Sequence, residues 1–367
     1  MSGEGLYQIA LTQVPMIGAV HRKTLIEHFG SAKAIFTAKA SYLERIGGIG
    51  AVRANSIRQF SDFSQAEKEL RFIEKYNIKK LFYTDTDFPS RLKHCYDPPV
   101  LLYYKGTVNL NNAKLIGIVG TRNNSEYGRV ITENMVSDLR QLSDLVIISG
   151  LAAGIDALAH KAAIQNGIPT VGVLAHGLDT IYPGNHSSLA RSMLQEGGLL
   201  TEFPSNTRPD RHNFPSRNRI VAGLCDALVV IETGLKGGSM ITADLAVSYN
   251  RDVFAFPGRI TDSRSAGCNS LIQQQKAELL LDTSGLLQTM GWSRHSREIN
   301  PRQTSLFPEL SPKERMVVDL LTEKGHLGVD ELKYHSRFTH SELSAMLLEL
   351  EMKNVIESLP GKIFGIR

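Results

Sequence analysis

Leu145-Val146-Ile147-Ile148-Ser149-Gly150-Leu151-Ala152-Ala153-Gly154-Ile155-Asp156-Ala157-Leu158-Ala159-His160 sets the fold class. A short apolar, β-branched run enters a turn of small residues, and a helical pattern follows at once. A strand apolar on both faces, bounded by glycine and leading into a helix, is the unit of a parallel sheet with crossover helices. The same grammar recurs at Leu115–Val119, Thr170–Leu174, Leu199–Thr201, Ala227–Ile231 and Val253–Phe256. Strands alternating with helices in this way predict a doubly wound α/β sheet. In such a sheet, ligands bind beyond the carboxyl ends of the strands, so the turns there are the place to look for chemistry.

Outward from this core the pattern changes. Residues 1–65 read as short helices joined by glycine turns, and Val14–Gly18 and Ile46–Gly50 place two such turns 32 residues apart (Gly18 to Gly50). That spacing is the mark of an internal repeat and resembles a tandem helix-hairpin-helix, or SAM-like, module. Residues 66–290 hold the α/β domain, introduced by strand candidates at Lys80–Tyr83 and Val100–Tyr104. A polar linker is expected over 291–310. After it, Ser311-Pro312 reads as a helix start, with helical patterns at Arg315–Thr322, Val329–Lys333 and His340–Met352. A hairpin of Val355–Leu359 and Lys362–Ile366 completes a segment, 311–367, that resembles a winged helix.

Composition excludes several function classes. The chain has 367 residues, 41 Lys+Arg against 37 Asp+Glu, and 42% hydrophobic residues, so it is an ordinary globular sequence with a formal charge of only +4. By region the balance is 15 against 10 in 1–112, 15 against 16 in 113–290 and 11 against 11 in 291–367. A polyanion partner would therefore need local clusters. Three scattered cysteines, Cys95, Cys225 and Cys268, suggest neither a disulfide framework nor a thiolate metal site. No signal peptide or membrane span is read, and a cytoplasmic location is expected.

The turns carry the candidate chemistry. Gly117-Ile118-Val119-Gly120-Thr121-Arg122 delivers an arginine to the mouth of the sheet, but it is not a G-x-G-x-x-G fingerprint, and no phosphate-binding G-x-x-x-x-G-K-[ST] loop occurs anywhere. Ser149–Gly154 lets a backbone or ligand approach closely. Asp156 and His160 lie four apart on one helical face, and two ligands make no metal site, so a cap or buried hydrogen-bond role is read there. Thr207–Arg219 holds four arginines with Phe214, the combination that grips phosphates and stacks bases of single-stranded nucleic acid; an acidic small molecule is the alternative. Glu232-Thr233-Gly234-Leu235-Lys236-Gly237-Gly238-Ser239 opens a helix with a phosphate-cradle geometry, and Phe256-Pro257-Gly258-Arg259 adds an arginine at a further strand end.

Taken in order, Gly120-Thr121-Arg122, the Ser149–His160 turn, Gly177-Leu178-Asp179 with Tyr182-Pro183, Phe214-Pro215-Ser216-Arg217-Asn218-Arg219, and Gly238-Ser239-Met240-Ile241-Thr242-Ala243 resemble the DNA-processing protein A family (DprA, also called Smf) over residues ~70–285. The resemblance implies an extended Rossmann-like domain that binds single-stranded DNA and loads the RecA recombinase in natural transformation. It implies a homodimer without catalytic turnover, cofactor or metal, with single-strand-binding protein as a further candidate partner. Carried onto this sequence, the DNA site would comprise Gly120, Thr121, Arg122, Gly150, Phe214, Arg217, Asn218, Arg219, Gly238 and Ser239. His186 stands where family members often place a basic residue after Tyr-Pro. The alternative is a nucleotide-processing, phosphoribohydrolase-like enzyme, for which Glu232 or Asp244 would have to act on the ribose. A net-neutral winged helix favours a partner-binding role over duplex reading.

Overall fold

The computed structural model describes residues 3–111, 113–293 and 310–367. Nine strands form one sheet in the order β1-β2-β6-β5-β4-β3-β7-β8-β9. They are β1 Lys79–Phe82, β2 Leu101–Gly106, β3 Lys114–Val119, β4 Leu145–Ser149, β5 Thr170–Val173, β6 Gly198–Thr201, β7 Ala227–Val230, β8 Asp252–Ala255 and β9 Glu278–Leu279. From β6 through β9 the neighbours are parallel, while β2 joins β6 and β1 joins β2 antiparallel. The chain winds from β3 through β4 and β5 to β6, then returns to place β7 on the other side of β3. The strand order therefore reverses between β3 and β7, which opens a crevice at their carboxyl ends. Strands β4, β5, β6 and β7 are buried along their whole length, as expected of a sheet covered on both faces.

Two apolar layers sandwich this sheet. One includes Leu115, Val146, Ile148, Val171, Leu200, Ile220 and Val230; the other includes Ile116, Ile118, Ile147, Ile155, Val229 and Phe254. Residues adjacent along a strand divide between the two layers, which is the pleat alternation acting on a continuously apolar run.

The N-terminal helices do not form a unit closed at residue 65. Helix Ser64–Lys75 packs on Gly3–Gln13, and the apolar core begun by Ile9, Leu25, Ile35 and Leu43 continues through Ile73 and Phe82 to Leu101 and Tyr103. The helical module and the antiparallel edge of the sheet thus share one core, so strands β1 and β2 belong as much to the module as to the α/β domain. The two glycine turns lie side by side: Arg53 donates from Nη1 to Gly48 O (3.0 Å) and from Nε to Met16 O (3.3 Å), and Ser56 Oγ donates to Pro15 O (2.8 Å).

Most of the expected linker lies outside the described residues. The C-terminal segment folds as helices Pro312–Lys324, Val329–Ser336 and His340–Met352 with strands β10 Leu327–Gly328, β11 Ile356–Leu359 and β12 Ile363–Ile366 in the order β10-β12-β11. Ser311 caps the first helix through a capping box with Glu314, and Pro312 sits in its first turn. The short strand β10 has no sequence signal of its own, being two residues long. The tip of the β11–β12 hairpin reaches the amino end of β8, where Arg251 Nη1 donates to Pro360 O (3.4 Å).

Candidate nucleic-acid interface

A cleft of about 680 Å³ lies at the carboxyl ends of β3 and β7, where the strand order reverses, within the size range of small-ligand sites. Three walls build it. The first is the turn after β3, with Gly120, Thr121 and Arg122. The second is helix Asn213–Leu224, which contributes Phe214, Arg217, Asn218 and Val221. The third is the amino end of helix Gly238–Ser248, where Met240 N turns back to Gly237 O (3.1 Å) and the Gly238 and Ser239 amides are left to meet an anion.

The middle wall follows from helical spacing. Positions 214, 217, 218 and 221 fall at i, i+3, i+4 and i+7 and share one face. Arg219 is two residues from Arg217, so it points the other way. The expectation that Arg217 and Arg219 act together in the pocket is corrected here. The Arg219 guanidinium pairs with Glu202 and donates from Nη1 to Asp97 O (2.5 Å), with the side chain 12% exposed and away from the cleft. The Glu202 carboxyl is pushed up by burial and pulled back by Arg219 and Arg22. Arg22 comes from the N-terminal module, where its Nη2 donates to Thr12 O (2.6 Å). Arg219 therefore belongs to an ionic joint between the helical module and the α/β domain.

Arg217 is the floor of the cleft. It is 4% exposed, its Nη1 donates to Val173 O (3.2 Å), and its Nε has no partner. Burial lowers its pKa and the Asp156 carboxylate partly offsets this, yet a guanidinium stays charged at any physiological pH. Gly150 makes the slot: a Cβ there would stand 1.4 Å from Arg217 Nη1. Asp156 Oδ2 accepts from Gly150 N (3.2 Å) and Ala152 N (3.4 Å), holding the turn that lies against the guanidinium. The Phe214 ring lies between two cations, with Arg122 Cζ 5.0 Å and Arg217 Cζ 6.0 Å from its centroid. Behind it, a recess of about 90 Å³ is walled by Tyr182, whose ring centroid is 6.2 Å away.

The third wall is pinned by side chains named in the sequence. Asn218 Nδ2 donates to Gly238 O (3.2 Å), and Ser239 Oγ donates to Thr233 Oγ1 (2.7 Å). Gly120, Thr121, Arg122, Gly150, Phe214, Arg217, Asn218, Gly238 and Ser239 are thus brought together, and Arg219 and His186 are not. His186 is 7% exposed and its Nδ1 lies 3.0 Å from Leu151 O, so it props the Gly150 turn from below and does not reach the cleft. Asp156, read from the sequence as a cap or buried hydrogen-bond residue, has that hydrogen-bond role and also lines the cleft, while Lys236 and Arg264 were missed as lining residues. Lys236 lay inside a quoted turn, but Arg264 carried no signal, because only the folded 257–265 loop brings it to the rim.

His160 supplies a pH signature of the layer beneath. Its Nδ1 meets Thr170 Oγ1 at 2.6 Å, and burial, with Arg217 and His186 nearby, depresses its pKa to about 3. A histidine whose folded pKa lies below its unfolded value of about 6.5 stabilises the fold fully above that value and loses the contribution as pH falls toward 3. Urea unfolding is expected to show a drop of up to about 1.4 kcal/mol per pH unit between pH 6 and 4. The slope should be shallower in His160→Asn; equal slopes in the two proteins would refute the assignment.

Neither carboxylate required by the enzymatic alternative enters the cleft. Glu232 Oε2 accepts from Ser125 N (2.8 Å) at a neighbouring helix start, and Asp244 pairs with Lys276 on the surface. No cluster of metal-ligating side chains occurs among the described residues, and none of their helices is long and apolar enough to cross a membrane.

The class is thus an extended Rossmann-like α/β protein with a cationic, aromatic-bearing cleft at its switch point and a winged helix after it. Residues 79–291 match the family model of DNA recombination-mediator protein A, and residues 301–362 match the DprA winged helix domain. The chain belongs to this family, DprA or Smf, whose members are recombination mediators and not enzymes. It is 35% identical to protein Smf of Synechocystis over 297 residues, covering 79% of this chain and 73% of that one. It is 39% identical to DNA processing protein DprA of Streptococcus pneumoniae over 213 residues, 58% and 73% of the two chains. The X-ray structure of the pneumococcal DprA superposes with a TM-score of 0.67 at 32% identity, covering 77% of this chain and 97% of that one. A Helicobacter pylori DprA structure, described for its single-stranded DNA binding mode, matches with a TM-score of 0.52 at 29% identity over 58% of this chain and 94% of that one.

Proposed function

We propose that this chain binds single-stranded DNA in the β3–β7 cleft and presents it to a RecA recombinase, working as a homodimer. The observation that carries the reading is Arg217, a buried guanidinium with an unpartnered Nε, lodged at the floor of an open cleft beside an aromatic ring. A buried cation that Asp156 offsets only in part and that has no ion pair calls for an anion, and the Gly238 and Ser239 amides stand at the same cleft. Phe214 adds a face on which any base stacks, so recognition is insensitive to sequence. Family membership supports the RecA and dimer assignments and offers single-strand-binding protein as a further partner.

The winged helix suits a protein partner better than a duplex. Its third helix, His340–Met352, carries Glu342, Glu349 and Glu351 and no lysine or arginine, a set that phosphates repel.

Anisotropy with a labelled oligonucleotide tests the reading. Single strands should outcompete duplexes of the same length, and affinity should fall linearly with log salt. Phe214→Ala is expected to weaken binding by the roughly 1–3 kcal/mol of one base stack. Equal affinity for duplex and single strand, with no loss in Phe214→Ala, would remove the reading. Acceleration of RecA filament growth on strands already coated by single-strand-binding protein tests the presentation step.

A further inference from the structure

We propose that the strand leaves the cleft over a second tier of cations, in which Lys236 and Arg264 each hold a backbone phosphate of single-stranded DNA. This deepens the reading of the cleft and rests on it. Both residues are exposed and line the rim, and among the described residues neither side chain has an ion pair or hydrogen-bond acceptor, although Arg264 N donates to Asp262 Oδ1 (2.9 Å). Arginines that serve the fold are engaged otherwise, as Arg91 is by Asp226 and Arg219 by Glu202.

The rim is built, although its two side chains are free. The loops that carry Lys236 and Arg264 are locked together: Gly267 N donates to Thr233 O (2.8 Å), and a Cβ at Gly267 would lie 2.6 Å from Gly234 O. Asn269 closes the second loop by exchanging hydrogen bonds with Gly258 in both directions, each 3.1 Å. Exposed Leu235 and Ile260 stand on the same two loops, at 62% and 94% exposure. These two side chains add apolar surface to the loops that carry the cations. Arg217 and the Gly238 and Ser239 amides take the buried phosphate, and the two rim cations take those that follow it.

The test is a salt titration of binding to a 3-nucleotide and a 15-nucleotide strand by the full chain and by Lys236→Gln/Arg264→Gln. Each phosphate contact adds about 0.7 to the slope of log K against log salt for single strands. The double variant should lose about 1.4 from that slope on the long strand, roughly 25-fold in affinity at 0.1 M salt. On the short strand, which carries too few phosphates to run from the Arg217 floor past the rim, the loss should be smaller than on the long one. An unchanged slope on the long strand, or an equal loss on both strands, overturns the proposal while leaving the cleft reading intact. Failure of the parent to bind either strand defeats the cleft reading itself.

Discussion

Gly150→Ala is expected to abolish single-stranded DNA binding while leaving the fold in place. The new Cβ would occupy the position of Arg217 Nη1, so the guanidinium must leave its slot against Val173 O. Alanine fits the backbone here, because Gly150 is not among the glycines with positive φ. Losing a positioned buried charge from a phosphate contact costs about 2–5 kcal/mol, a loss of roughly 30-fold to several thousand-fold. Because the mechanism is expulsion of one side chain, Gly150→Ala/Arg217→Ala should bind no worse than Arg217→Ala alone, a non-additivity that marks two residues acting as one. Additive losses would show that Gly150 touches DNA independently. Circular dichroism and urea unfolding establish that each variant is folded.

Arg219→Ala should do the opposite: it should cost stability and spare DNA affinity. Its removal strips Glu202 of its closest cation and Asp97 O of a donor. Breaking one side of a buried pair costs about 3–5 kcal/mol, and Arg22, which also acts on Glu202, places the expected loss near 3 kcal/mol. The pH dependence has a definite sign. Burial raises the Glu202 pKa, and without Arg219 it rises further, so protonation relieves the uncompensated charge. The stability deficit should therefore shrink as pH falls from 7 to 5. Adding Glu202→Gln should recover part of it at neutral pH. Under conditions where both proteins are folded, affinity for a short strand should stay within about twofold of the parent. A large loss of binding at full stability would return Arg219 to the cleft.

These two residues also show where sequence reasoning reached and where it stopped. The alternation of apolar runs, glycine turns and helices was sufficient for a doubly wound sheet, because strand burial on both faces is written directly into composition. The Ser311-Pro312 cap was legible for the same reason, as a local signal for a local structure. The boundary at residue 65 was not legible. Ile73, Phe82 and Tyr103 join the helical core only through contacts distant in the chain.

The motifs Gly-Thr-Arg and Gly-Gly-Ser pointed to the cleft because they lie in the turns after β3 and β7, and Phe-Pro-Ser-Arg-Asn-Arg because it opens the helix packed beside them. What they could not show was which way a side chain points. Arg217 and Arg219 belong to one motif, yet helical rotation sends one to the floor of the cleft and the other to the joint with the N-terminal module. His186 looks like a phosphate contact in sequence and is a buried prop in space. The near-neutral charge of the α/β region is likewise uninformative, since burial and pairing decide which cations remain free.

The sequence by itself thus determined the order of the strands' turns and the chemistry available at each, since both are local properties of composition and spacing. Only the tertiary structure decided which charges face the cleft. That choice depends on helix phase, on a missing Cβ at Gly150, and on carboxylates such as Glu202 supplied from elsewhere in the chain.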